Sequence, residues 1–247
     1  MADDPVIERL VELDSTNAEL SRRLAGGENP REGHWIVADR QTAGRGRLGR
    51  DWLDGRGNFM GSTLVLCDET DPPPQTLALV AGVALHACLS QQLAKPARLM
   101  LKWPNDVLLD GAKLAGILLE RIGDAVVIGI GVNLAVAPDV AGRKVTSLAA
   151  HGVKTFRDRF AFDLAMATGE AIAAWRNDGL AATIERWSRH GPARGAPIRV
   201  DLSESERVEG TFAGLDGDGA LRIRLEDGSS RAIHAGEVSL LGGDEGV

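Results

Sequence analysis

The chain has no tyrosine, and its five Phe and five Trp make aromatics only 4% of the sequence. Stacking platforms of the kind that hold single-stranded nucleic acid are therefore scarce. An excess of positive charge is missing too: 28 Lys and Arg stand against 35 Asp and Glu, a formal net charge of −7. Non-specific affinity for a polynucleotide comes mainly from neutralising phosphates, so no nucleic-acid partner is expected. The two cysteines, Cys67 and Cys88, sit in the apolar runs "STLVLC" and "VALHAC" without metal-ligand spacing. They read as buried, reduced thiols. No apolar run approaches the roughly 20 residues that span a bilayer. The acidic start "MADDP" lacks the basic and apolar regions of a signal peptide. These absences point to a cytoplasmic protein with no membrane partner. The 44% of hydrophobic residues is enough for a sizeable core in one large domain, or in a main domain with a small appendage.

Strand and helix patterns alternate through most of the chain. "VIERLVEL" reads as a strand, and the following "DSTN" offers N-caps for a helix over about 18–25 that "GGENPREG" ends. "HWIVAD" and "NFMGSTLVLC" read as strands flanking a long, polar, glycine-rich loop. A loop of that length inside a compact domain is usually functional or disordered. After "DPPP", Leu77, Val80, Ala81, Ala84, Leu85 and Cys88 recur at helical spacing, with His86 off the centre of the stripe and given no role. "ARLML" is a short strand running into "KWPND", where Pro104 breaks regular structure. Strands then turn at "DG" and "GD", and "AVVIGIGVNL" predicts one buried on both faces. Two helices are expected over 156–175 and 180–187. Beyond "RHGPARGAP", Leu221, Ile223 and Leu225 alternate with Arg222, Arg224 and Glu226, the period of a half-exposed strand between turns at "DGDG" and "EDGS". The division is a main domain over 1–190 and a small β domain over 191–247, with the final "GGDEGV" expected to fray.

Four short polar segments lie where apolar strands end: "STN" at 15–17, "QTAGRGRLGR" at 41–50, "KWPND" at 102–106 and "KLAGI" at 113–117. In the second, glycines permit conformations and close approaches that a side chain would block. Its arginines supply planar donors suited to carboxylate and phosphate. From Arg45 to Arg56, four arginines face two aspartates, a basic island in an acidic chain that suits a small anionic ligand. Each segment alone also has a plainer reading. "STN" is a helix cap, "KWPND" a turn around a core Trp103, "AKLAG" a solvated lysine on a strand, and in "GIGVN" Asn133 satisfies a turn.

Taken together, in this order and spacing, "DSTN", "GRGRLGR", "KWPND", "KLAGILLE" and "GIGVN" resemble the biotin protein ligase family nearly letter for letter, and the likeness runs over almost the whole chain. The resemblance implies an α+β fold: a class II synthetase-like mixed sheet with helices, the biotin/lipoate ligase catalytic fold, plus a small C-terminal SH3-like β-barrel. It implies that biotin and MgATP react to biotinyl-5′-AMP, and that the biotinyl group passes to one lysine of a biotin carboxyl carrier domain. Carried over residue by residue, Ser15, Thr16, Asn17 and Gln41 lie around biotin, with Gly44, Arg45, Gly46, Arg47 and Gly116 closing on it. Lys113, Arg45 and Arg47 are the implied catalytic cations. Arg47, Arg50, Trp52, Lys102, Asn105, Asp106, Lys113 and Asn133 are carried to the nucleotide, Trp52 as a stacking partner for adenine and Asp106 also as a Mg²⁺ anchor. Because the anhydride is destroyed by water, residues 44–56 are expected to be mobile until ligand orders them. The resemblance also implies that the carrier domain docks beside an exposed strand edge, and it leaves a homodimer open.

Leu48 departs from the family pattern, which often has a basic or polar residue there. Three rivals stay in view. A lipoate–protein ligase or octanoyl transferase shares the fold, but the transferase needs a nucleophilic cysteine in a polar motif. An RNA-binding module would use the Gly/Arg loop as its basic patch. A bifunctional ligase and repressor would carry a DNA-binding domain of about 60 residues ahead of the catalytic pattern, which here begins almost at Met1.

Overall fold

A computed structural model describes residues 5–53, 55–93, 99–203 and 205–241. The expected fraying of 242–247, the first two residues of "ARLML" and Asp54 of the Gly/Arg loop lie outside the described residues.

The main domain is a seven-stranded sheet built from β1 (Ile7–Leu13), β2 (Trp35–Gln41), β3 (Phe59–Leu66), β4 (Leu99–Lys102), β5 (Asp106–Leu109), β6 (Ala112–Ile122) and β7 (Ala125–Val132). The strand order is β1-β2-β3-β7-β6-β5-β4. Only β1 and β2 are parallel, which requires a crossover, and helix α1 (Thr16–Ala25) supplies it. The helix starts two residues before the expected Ala18 because Ser15 is its N-cap: the residue is extended, and its hydroxyl lies 3.5 Å from the Ala18 N–H.

The alternation along β7 divides the molecule into two layers. Val126, Ile128, Ile130 and Val132 point into the larger core, beneath α2 (Leu77–Ser90), α3 (Arg157–Asn177) and α4 (Gly179–Ser188). Val127, with Ala125, points the other way and packs with Leu20, Ile36 and Leu64 under α1. Burying such a side chain is worth about 1.5–3 kcal/mol. Both faces of β7 are covered, as its continuous apolar run predicts. Helix α2 is apolar nearly all round because the sheet covers one side and α3 and α4 the other. His86, within it, stacks on His190 with ring centroids 3.8 Å apart. Burial, then the neighbouring imidazole, pushes its pKa down to about 4, so it is neutral near pH 7.

The C-terminal unit is a five-stranded antiparallel sheet of β8 (Pro197–Asp201), β9 (Arg207–Leu215), β10 (Leu221–Arg224), β11 (Ser230–Ile233) and β12 (Glu237–Leu240), in the order β11-β10-β9-β8-β12. Ile198, Val200, Phe212, Leu221 and Ile223 belong to the same buried cluster as the main core. Trp187 of α4 meets Phe212 at 6.4 Å between ring centroids, and the Trp103 indole N–H donates to the Gly219 carbonyl at 3.1 Å. The small unit is thus fixed against α4 and the β4–β5 turn. That placement brings β12 to the edge of the pocket.

Candidate active site

On the α1 face of the sheet, beyond the cover of the helix, the strands carry glycine where neighbouring rows carry Val or Leu. Gly131 pairs with Gly116 on one side and Met60 on the other, and Gly129 lies between Ser62 and Leu118. These glycines make room for specific side chains. A Cβ at 129 would stand 2.1 Å from Asn17 Oδ1, and one at 131 would stand 2.3 Å from the Trp52 ring. The resulting pocket is walled by the start of α1, the Gly/Arg loop, the β4–β5 turn, β6 and the first residues of β12.

One end is neutral and buried. The backbone N–H of Thr16 donates to Gln41 Oε1 at 2.8 Å, and Thr16 Oγ1 lies 3.1 Å from the same oxygen. Ser62 Oγ is 2.6 Å from both Thr16 Oγ1 and Asn17 Oδ1. The Asn17 amide nitrogen donates to Glu120 Oε2 at 2.6 Å. Asn17, Thr16 and Gln41 line the pocket together with Ser15. Ser62 and Glu120, behind them, were not singled out by the motifs. Ser62 reads as an ordinary strand residue, and Glu120 as the solvated end of "KLAGILLE".

The other end is charged. Lys113 Nζ lies 2.6 Å from Asp106 Oδ1, and Lys102 Nζ lies 3.2 Å from Asp106 Oδ2. Burial works against the Asp106 carboxylate, but the two ammonium groups outweigh it and hold its pKa below the usual aspartate range. One ammonium group thus lies on each oxygen of the carboxylate carried over as the Mg²⁺ anchor. No cluster of three or more His, Cys, Asp or Glu among the described residues would hold a metal. Both backbone groups of Lys113 are held by a neighbouring segment: its N–H donates to the Lys144 carbonyl, and its carbonyl accepts from the Thr146 N–H. A bulge in the β5–β6 pairing between Val107 and Leu108 leaves that place open.

The Gly/Arg loop bends over this end. Arg47 Nη1 donates to Asn105 Oδ1 at 3.0 Å; burial, which outweighs the nearby Asp106, presses its pKa down. Asn105 is itself fixed by donating to the Ile117 carbonyl at 2.7 Å, and the Trp103–Pro104 bond in this turn is cis. Arg50 reaches across to the C-terminal unit, where Nη1 donates to both Glu237 oxygens at 2.9 and 2.8 Å. Arg143 also reaches Glu237, at 3.0 Å. Burial alone would raise the Glu237 pKa; Arg50 and then Arg143 bring it below the ordinary glutamate value. Arg45 lines the pocket with no ion-pair partner among the described residues. Leu48, at the loop tip, is 77% exposed and left-handed, with φ 58°. Sequence patterns gave no sign of Glu237 or Arg143, because both partners are distant in the chain.

Most of the expected residues converge: Ser15, Thr16, Asn17, Gln41, Arg45, Gly46, Arg47, Arg50, Trp52, Lys102, Asn105, Asp106, Lys113 and Gly116 all line this pocket. Gly44 does not. It shapes the loop, since a Cβ there would stand 2.6 Å from the Trp52 carbonyl. Asn133 does not either: it is buried, donating to the Thr146 carbonyl at 3.1 Å, and its Oδ1 faces Asn58 Nδ2. That geometry fits the plainer role of satisfying a turn. Trp52 lies against the glycine floor with Lys113 Nζ 5.8 Å from its ring centroid, and its buried indole nitrogen has no hydrogen-bond partner. Cys67 and Cys88 are not in the pocket wall, and burial pushes the Cys88 thiol up to about 12, so no cysteine nucleophile serves this site.

The model of the biotin/lipoate A/B protein ligase family matches residues 11–133, and that of the biotin protein ligase C-terminal domain matches 195–241. The chain is 38% identical to the biotin–[acetyl-CoA-carboxylase] ligase of Paracoccus denitrificans, over 93% of this chain and 98% of that protein. With the enzyme of the same name from Mycobacterium tuberculosis the identity is 36%, over 91% and 85%. The biotin protein ligase of Aquifex aeolicus, solved in complex with biotin and ATP, superposes with a TM-score of 0.83 at 28% identity, covering 96% of this chain and 98% of that one.

Proposed function

The chain belongs to the biotin protein ligase family, and from that premise we propose that it joins biotin to ATP as biotinyl-5′-AMP and then biotinylates a lysine of a biotin carboxyl carrier domain, as in acetyl-CoA carboxylase. The observation that carries this reading is the joining, in one pocket, of a neutral hydrogen-bonding end to a cluster of cations. The neutral end suits the ureido ring of biotin, whose donors and acceptor would each cost about 1–3 kcal/mol if buried unpaired. The cations address the central difficulty that a carboxylate and a triphosphate repel each other.

In the first step a carboxylate oxygen of biotin attacks the α-phosphorus, and the bond to the β-phosphate breaks, releasing pyrophosphate. Lys113 is assigned to the reacting oxygens and Arg45 and Arg47 to the acyl end and α-phosphate, with Lys102 and Arg50 near the remaining phosphates. Asp106 serves as the internal counterion that orients Lys113 and Lys102 until the substrates replace it. Mg²⁺ belongs to the substrate MgATP and lowers the phosphate charge. In the second step the acceptor amine attacks the acyl carbon and AMP leaves; the proton released by the amine passes to solvent. No covalent enzyme intermediate is needed.

The carrier domain has a candidate edge. Strand β5 pairs with β6 only through Gly116, whereas β6 continues to Ile122, and Leu118 on that uncovered stretch also lines the pocket. No helix among the described residues is long and apolar enough to cross a membrane.

The test is exchange of labelled pyrophosphate into ATP, followed by labelling of a carrier domain with biotin. Biotin-dependent exchange is expected. Exchange with lipoate and none with biotin would reverse the assignment.

A further inference from the structure

The segment that holds the Lys113 backbone is itself tied down. Residues 144–146 run beside the start of β6: the Lys113 N–H donates to the Lys144 carbonyl at 2.8 Å, the Thr146 N–H donates to the Lys113 carbonyl at 2.9 Å, and Val145 stands opposite Lys113 in a parallel bridge. Thr146 is buried, and its hydroxyl lies 2.9 Å from His151 Nε2. The other ring nitrogen of His151, Nδ1, lies 3.3 Å from Asp110 Oδ2. A carboxylate only accepts, so the neutral imidazole beside it carries its proton on Nδ1 and accepts from the Thr146 hydroxyl at Nε2. His151 ends a single 3₁₀ turn, Ala149–His151, which the left-handed Gly152 terminates and the Ser147 hydroxyl opens by accepting from the Ala150 N–H at 3.3 Å. Asp110 stands in the turn between β5 and β6, just ahead of Lys113. The contacts therefore form a closed ring: Lys113 to Thr146, Thr146 to His151, His151 to Asp110, and back along the chain to Lys113. Asp, His and a hydroxyl in that order resemble a nucleophilic triad, yet neither Thr146 nor His151 lines the pocket. What the ring acts on is the backbone that it encloses.

We infer that His151 is a positioning residue for adenylation: by tying Thr146 to the β5–β6 turn, it fixes the segment that holds the main chain of Lys113. The inference rests on the proposed role of Lys113 at the reacting oxygens. The direction in which a side chain leaves the backbone is set by its Cα–Cβ bond, so any freedom of residues 144–146 reaches Lys113 Nζ as positional spread. The bulge in the β5–β6 pairing makes this support necessary, because β5 does not hold that stretch of β6 in regular register. A displacement of about 1 Å at a reacting group can cost about a hundredfold in rate. Loosening one link of the ring should cost a part of that.

The experiment is single-turnover adenylation at saturating biotin and ATP, whose rate constant is not lowered by an inactive fraction of protein. His151→Ala should slow it about five- to tenfold, with biotin affinity unchanged. Glutamine reaches the place of Nε2 and can hold the Thr146 hydroxyl, so His151→Gln should return to within about threefold of wild type. Asparagine reaches only the place of Nδ1, so His151→Asn should stay as slow as His151→Ala. Thr146→Val, which removes the hydroxyl and keeps the shape, is the second variant and should match His151→Ala. In the Lys113→Ala background, His151→Ala should cost less than about twofold, because the group it acts through is gone. Amide hydrogen exchange in the free protein gives a readout without substrates: the Lys113 and Thr146 N–H groups should exchange about tenfold faster in His151→Ala and recover in His151→Gln. Unchanged adenylation in His151→Ala, rescue by asparagine as good as by glutamine, or a full loss carried over into the Lys113→Ala background would overturn the inference and leave the ligase reading standing. A wild type that forms no adenylate would overturn that reading and the inference with it.

Discussion

At one end of the pocket Thr16, Asn17, Gln41 and Ser62 are neutral, buried and bonded to one another. At the other, Lys113, Lys102, Arg50 and Arg143 are charged, and each lies on a carboxylate of the protein itself. The neutral end comes from residues close to α1 and the central strands, locked in place by the sheet. The charged end is assembled from a loop, a turn, an irregular edge and a strand of the second unit. The first arrangement is held in place by its own hydrogen bonds, which would limit the ordering cost of binding in the proposed biotin site. The second pairs its cations internally, and in the proposed reaction the substrates displace Asp106 and Glu237 from part of that pairing. Affinity for biotin should therefore depend on the neutral end and the rate of activation on the charged end.

Lys113→Ala gives the largest test of that separation. Removing one preorganised charge from a transition state costs about 3–4 kcal/mol, so single-turnover adenylation should fall about a hundred- to a thousandfold. Biotin affinity without ATP should change less than about tenfold. Near-normal adenylation would remove the role assigned to Lys113, and an equal loss in both measurements would show that the two ends do not act separately.

The glycine floor allows a matched pair of changes. In Gly129→Ala the added methyl would collide with Asn17, and in Gly131→Ala with Trp52. Overpacking of this kind costs about 1–3 kcal/mol. The first variant should raise KM for biotin by about tenfold and spare that for ATP. The second, which displaces the ring beside Lys113, should lower kcat by about tenfold and spare biotin binding. Steady-state kinetics with either substrate varied would break the comparison if the two patterns were exchanged. A smaller effect is expected for Glu237→Gln, which releases Arg50 and Arg143 from a half-exposed site. KM for ATP should rise by about fivefold, or about 1 kcal/mol. That rise should shrink in high salt, where the wild-type pairs are themselves screened.

The neutral end was largely legible in the sequence because its first-contact residues lie in compact motifs, "STN" and the Gln41 that ends a strand. Ser62 and Glu120 were not, since a serine in an apolar strand and a glutamate near a strand end carry no local sign of what faces them. The fold was legible for a similar reason: strand and helix periods are short-range, and the continuous apolar run in "AVVIGIGV" marks a strand covered on both faces. The same run hid the glycine floor, because only the tertiary structure brings Asn17 and Trp52 over Gly129 and Gly131. At the charged end, Lys102, Asp106 and Lys113 could be listed from motifs, whereas their mutual pairing could not. Asp106 was carried over as a Mg²⁺ anchor, with no local sign that two ammonium groups meet on it. Glu237 was out of reach, as it meets Arg50 across 187 positions of chain.

The smallest effect should come from the tip of the Gly/Arg loop, where an exposed leucine holds a left-handed backbone conformation with φ 58° and ψ 34°. Such a conformation costs a β-carbon-bearing residue about 1–2 kcal/mol, and asparagine tolerates it better than leucine does. Leu48 makes no ion pair and does not line the pocket, so Leu48→Asn should leave biotin affinity and the Lys113-dependent step unchanged. What it should ease is the adoption of the closed loop, by about 0.5–1 kcal/mol. If the loop is mobile until ligand binds, that gain appears only in the liganded state: the adenylate should escape about two- to fivefold more slowly, with no rise in the unfolding temperature of the free protein. A rise in the free protein of about 1–3 °C, with escape unchanged, would mean that the loop is already closed before ligand arrives. Adenylate retention and thermal unfolding measured on the same variant therefore decide whether the charged end is preassembled like the neutral one or is completed by its substrates.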